Sequence, residues 1–125
     1  MDFPAVLTKQ QDNNQLSLVL NITPELSAFA GHFDQFPIVP GVIQIGWVLH
    51  FFNTELAISL GLNQTYQIDS MSSLKFQHII TPASKINLDL VFDASRQLVS
   101  FTCYDENHRF SSGKLLLKIA ETHQS

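Results

Sequence analysis

A chain of 125 residues has the size of one domain with a real core, since such a chain buries roughly two-thirds of its unfolded surface. A formal net charge of −4 without any basic run excludes a nucleic-acid surface, and the single Cys103 excludes an internal disulfide framework and fits a reducing compartment. Only 14% of the residues are charged against 45% hydrophobic, so the solvated surface is small and a subunit interface is expected to hide part of the apolar excess.

The start, Met1-Asp2-Phe3-Pro4, shows no basic segment followed by an apolar one. No signal peptide is therefore expected, and the cytoplasm is the expected location. Residues 4–11 are weakly strand-like, and Asp12-Asn13-Asn14 is a turn signal. Leu16, Leu18, Leu20 and Ile22 then alternate with smaller or polar residues, which predicts a half-buried strand closing a hairpin. Thr23-Pro24-Glu25-Leu26 can start one short helical turn, with Thr23 as cap and Pro24 at the first position.

Next comes a loop punctuated by Gly31, Pro37, Pro40 and Gly41, with His32 held between Gly31 and Phe33. Pro40-Gly41 opens the longest apolar stretch of the chain, which predicts a helix from Val42 to Leu60 capped at its end by Gly61. A helix apolar on most sides is enclosed by its own protein. Gln44, His50, Asn53, Thr54 and Glu55 make it too polar for a membrane span. A histidine in a loop feeding such a helix is a candidate for chemistry, because the helix start offers free N–H groups and positive potential.

The remainder reads as strands. Tyr66 to Ile80 is long enough for one, with Leu74, Phe76 and His78 on one face. Ile86 to Phe92 and Val99 to Cys103 alternate, and Lys114 to Ala120 closes the sheet. Asp93-Ala94-Ser95-Arg96 and Asp105-Glu106-Asn107 are turns. Two strands, a long buried helix and about four more strands make an α+β class, an antiparallel sheet wrapped around one helix over a single domain at 1–125.

Gly31-His32-Phe33 followed by Pro40-Gly41-Val42 and a hydrophobic helix resembles the 3-hydroxyacyl-acyl-carrier-protein dehydratases of the hotdog fold. Leu74-Lys75-Phe76 and Pro82 look like that family's third strand and following turn. Gln44-Ile45-Gly46-Trp47 and Ser111-Ser112-Gly113-Lys114 look closer to the short dehydratases of bacterial aryl-polyene biosynthesis. The resemblance implies dehydration of a 3-hydroxyacyl thioester on an acyl carrier protein, by a homodimer or a heterodimer with a related subunit. It implies that His32 removes the C2 proton and that backbone N–H groups at Gly41 polarise the thioester carbonyl. No metal or redox cofactor is implied. Physical chemistry supports these roles: an enolate-like oxygen needs aimed donors, and a histidine titrates near neutrality.

One position departs from the family. The helix residue that carries Asp or Glu there is Gly46 here. His50, one turn further along, is a candidate stand-in for the acid, and Asp34 and Glu55 are weaker ones. Gly46 and Phe33 join Gly41 as expected substrate-binding positions, and Phe29, Phe33 and Phe36 as possible walls of an acyl tunnel. Three readings follow: an active dehydratase, a catalytically weak subunit that binds acyl chains or supports an active partner, and a hotdog thioesterase. His78, His108 and His123 read as strand, turn and tail residues without metal-site spacing. Cys103 reads as a small buried hydrophobe.

Overall fold

The computed structural model describes residues 2–29 and 37–120. It contains a six-stranded antiparallel sheet in the order β1-β2-β4-β5-β6-β3. The strands are β1 (Ala5–Asp12), β2 (Gln15–Ile22), β3 (Tyr66–Phe76), β4 (Ser84–Asp93), β5 (Leu98–Tyr104) and β6 (Arg109–Ile119). One long helix lies between β2 and β3 in sequence. It runs as α1 (Gly41–Phe51), a wider π turn over Phe52–Leu56 and a last α turn at Ala57–Ser59. Among the described residues no helix is long and apolar enough to cross a membrane.

Alternation decides which face of the sheet meets the helix. Leu16, Leu18, Leu20 and Ile22 of β2 are buried, as are Ile86, Leu88, Leu90 and Phe92 of β4 and Val99, Phe101 and Cys103 of β5. The helix contributes Trp47, Val48, Phe51, Phe52 and Leu56 to the same core. A side-chain period of two on the strands and one near 3.6 on the helix put these sets face to face.

The helix ends as its sequence suggests. Gly61 adopts φ 77°, a left-handed conformation that only glycine takes without strain. The Leu62 N–H donates to the Ala57 carbonyl at 2.9 Å and the Gly61 N–H to the Ile58 carbonyl at 3.0 Å, which is the Schellman pairing. The turn at 23–26 is present, with the Leu26 N–H on the Thr23 carbonyl at 3.3 Å. The helical residues there come just after it, as a 3₁₀ turn at Ser27–Phe29.

Two boundaries differ from the sequence expectation. β6 begins at Arg109 rather than Lys114, because buried Ser111 and Gly113 extend backwards the alternation of Leu115 and Leu117. β3 ends at Phe76 rather than Ile80, after a register shift between Ser72 and Lys75 where Ser73 takes φ 55°. Beyond it, the Gln77 N–H donates to the Phe110 carbonyl at 2.9 Å and the Val39 N–H to the Ile80 carbonyl at 3.0 Å. The second bond fixes the approach to the helix beside the end of β3.

Candidate active site

The loop that carries His32 and Phe33, together with Asp34 and Phe36, lies outside the described residues; its two flanks do not. On the N-terminal side, the Asp2 carboxylate accepts from both the backbone N–H and the hydroxyl of Ser27, the N–H bond being 3.0 Å. The Ser27 hydroxyl, and then its amide, hold the Asp2 carboxyl below the usual carboxylate range. Phe29 and Ala28, which follow, are buried in the core, so Phe29 is a core residue. On the C-terminal side, buried Val39 is tied to Ile80, and Pro40 precedes Gly41 with extended backbone. Both ends of the histidine loop are thus anchored.

Gly41 is the first residue of α1, and the Pro40 carbonyl accepts from Ile43 and Gln44 at 3.1 Å each. The amides at a helix start have no acceptor within their own helix, so the N–H groups of Gly41 and Val42 are not used by α1 itself and point where a ligand can meet them. A Cβ at position 41 would stand 2.9 Å from the Phe76 ring. The missing side chain therefore admits an aromatic wall as well as close approach to the helix start.

A cavity of about 390 Å³ opens there, lined by Ile38, Val39, Gly41, Gln44, Phe76, Gln77, His78 and Ile79. Mixed apolar walls with a few polar groups suit an acyl thioester. Among the described residues none of the lining is acidic. A larger concavity, of about 490 Å³, lies around Asp89, Tyr104 and the 105–109 turn, and Gly41 is not part of its lining.

Gly46 and His50 lie on a different side of the helix from Gly41 and Gln44, because residues three and four apart share a face. Among the described residues a Cβ at Gly46 would meet nothing within 4 Å, so no described side chain occupies the space above it. The His50 ring does not fill that space. It stacks flat on Phe3 at 3.5 Å between centroids, with Phe51 edge-on at 5.0 Å. Burial lowers its pKa, with the Glu55 charge opposing. Glu55 itself pairs with Lys9 at 2.9 Å.

Two residues at this site escaped the sequence reading. His78 lines the cavity, and its ring lies 4.6 Å from that of His108. Gln44 is only 6% exposed and also lines the cavity. Its spacing from Gly41, three residues along the same helix, was the signal available for it. Cys103 is buried, and that burial pushes its thiol up to about 12, so it is inert at neutral pH. Among the described residues no group of three His, Cys, Asp or Glu side chains could hold a metal.

This architecture has relatives. The chain is 30% identical to a chain of the dehydratase heterocomplex ApeI:P from Xenorhabdus doucetiae, with a TM-score of 0.79, covering 91% of this chain and 96% of that one. It is also 30% identical to an uncharacterized protein from Erwinia carotovora subsp. atroseptica, with a TM-score of 0.74, covering 94% and 98%. The 3-hydroxyacyl-[acyl-carrier-protein] dehydratase FabZ of Rickettsia massiliae is 27% identical over 90 residues, which is 70% of this chain but 62% of that protein's length. The hotdog architecture expected from the strand and helix order is the one these relatives share. The family described as ApeI-like, ApeI dehydratase, matches residues 8–114. A match of that extent, over the strands, the helix start and the cavity, makes this chain a member of the ApeI-like dehydratase family.

Proposed function

We propose that the protein dehydrates 3-hydroxyacyl thioesters, presented by an acyl carrier protein, to trans-2-enoyl thioesters in fatty-acid-like or aryl-polyene biosynthesis. The observation that carries this is a glycine-opened helix start facing a largely apolar cavity, directly downstream of Gly31-His32-Phe33, in a chain of this family. The thioester carbonyl oxygen takes hydrogen bonds from the amides at Gly41 and Val42. As charge develops on that oxygen, these fixed donors and the helix dipole stabilise it without reorganising. His32 takes the C2 proton; the C2–C3 double bond forms as the C3–O bond breaks, and the protonated His32 returns that proton to the departing hydroxyl, which leaves as water.

Gly46 sets a second reading beside it. Among the described residues no acid stands at this position, so the chain can instead be a weak subunit that depends on a related partner. The Xenorhabdus relative belongs to a heterocomplex, which keeps that arrangement in view.

Turnover of a 3-hydroxyacyl thioester by the purified protein alone tests the first reading. His32→Ala should then lose at least about 10²-fold in rate, the lower range of general base catalysis, with an unchanged thermal midpoint. A loss below about threefold would remove His32 from the mechanism. No turnover without a related subunit would favour the second reading.

A further inference from the structure

Gln44 is the least comfortable polar residue at the helix start. Its Nε2 donates to the Val39 carbonyl at 3.1 Å. That carbonyl can only accept, which settles which end of the carboxamide faces it. The other end, Oε1, is buried and has no hydrogen-bond partner among the described residues. Leaving a buried acceptor unpaired destabilises the fold. An apolar residue of similar length would fill the same site without that cost.

The position of the carboxamide suggests its use. Helical side chains lean toward the N-terminus, and the bond to Val39 shows that this one reaches back past Gly41. The cavity therefore sets N–H donors at the helix start beside a buried acceptor. A 3-hydroxyacyl thioester presents the complement, a carbonyl acceptor and, two carbons away, a hydroxyl donor. We propose that Gln44 is a specificity-determining residue whose carboxamide oxygen accepts a hydrogen bond from the 3-hydroxyl of the bound substrate. The inference rests on the dehydratase reading above for the substrate class. It adds a group that recognises the hydroxyl itself and holds it at a set place relative to the carbonyl.

Binding tests it separately from turnover. A 3-hydroxyacyl amide and the matching acyl amide, identical in chain and carrier arm, stand in for the thioester; their C2 protons are too weakly acidic to react. The wild-type protein should bind the hydroxylated amide roughly fivefold more tightly, as one neutral hydrogen bond allows. In Gln44→Met that ratio should fall to about one while affinity for the plain acyl amide holds. A purely structural role for Gln44 would weaken both ligands together and overturn the proposal. So would equal binding by the wild type, or an intact ratio in Gln44→Met, which would move the acceptor's partner to the carrier arm or elsewhere. If Gln44→Met does not fold, Gln44→Glu replaces it: a charged acceptor should keep or raise the preference, and a fall to parity would overturn the assignment. A wild type that prefers the hydroxylated amide yet turns over no thioester would sink the dehydratase reading and leave Gln44 in place.

Discussion

Gly46 is where the chemistry and the packing can be tested with one atom group. The position lies within α1, where glycine costs up to about 1 kcal/mol relative to alanine. Among the described residues nothing within 4 Å meets an added Cβ, so Gly46→Asp should fold with little change in thermal midpoint. If the missing carboxylate limits dehydration, this variant should raise the rate about tenfold or more, the low end of an acid–base contribution. A folded Gly46→Asp that gains nothing would show that the limit lies elsewhere. His50 gives a second test through pH. Its pKa is lowered in the folded protein, chiefly by burial, with Glu55 acting against. The unfolded chain therefore binds more protons, and stability from this group is present above the unfolded value near 6.5 and lost as pH falls through the folded one. His50→Phe, which keeps a ring against Phe3, should lose less thermal stability than wild type between about pH 7 and pH 5. Equal losses would mean that the stack does not favour the neutral ring. A neutral His50 is also a poor proton donor, which weighs against it as the substitute acid.

At the scale of elements, the alternating strands and the helix ends were legible because they depend on local sequence: apolar residues at period two, and a glycine at the helix end. The widening at Phe52–Leu56 was not legible, because its partner is distant. The Asn53 side chain donates to the Tyr66 carbonyl and accepts from the Tyr66 N–H, both at 2.9 Å. A helix residue thereby pairs with the first residue of β3 as a neighbouring strand would. Nothing in the run Phe52-Asn53-Thr54-Glu55-Leu56 announces that. The Phe3–His50 stack was hidden for the same reason, since it joins an N-terminal segment to mid-helix. The vacant acid at Gly46, by contrast, rested on the family resemblance, which places Asp or Glu at that spacing from Pro40-Gly41. Asn53→Ala would leave two backbone groups of Tyr66 without partners, at a cost of about 1–3 kcal/mol. Urea unfolding should show the midpoint fall with an unchanged slope; a neutral result would mean that water replaces the amide at little cost.

For the molecule as a whole, the question is what covers β3. Among the described residues it is an edge of the sheet, paired only with β6, and Asn53 meets its outer side only at Tyr66. Beyond that residue, Met71 is 50% exposed and Phe76 48%; near the chain's other approach to the cavity, Ile79 is 60% and Val42 74% exposed. The opposite edge, β1, carries Lys9, Gln10, Gln11 and Asp12, the polar set that discourages strand addition. A low charged fraction and a sheet edge that exposes Met71 and Phe76 beside the cavity make β3 the expected meeting line of two subunits. In a two-fold pairing each substitution occurs twice, so a charge at Met71 would place like charges on both sides. Light scattering of the wild type should give a dimer at micromolar concentration, and Met71→Lys should raise the half-dissociation concentration by about tenfold or more. The variant's monomer should keep the wild-type far-UV spectrum, because Met71 is not part of the core. Wild type that stays monomeric alone, yet pairs when a related hotdog subunit is added, would mean the edge is built for a different chain. In that case activity should appear only in the mixture, and Gly46 would be vacant because the partner carries the acid.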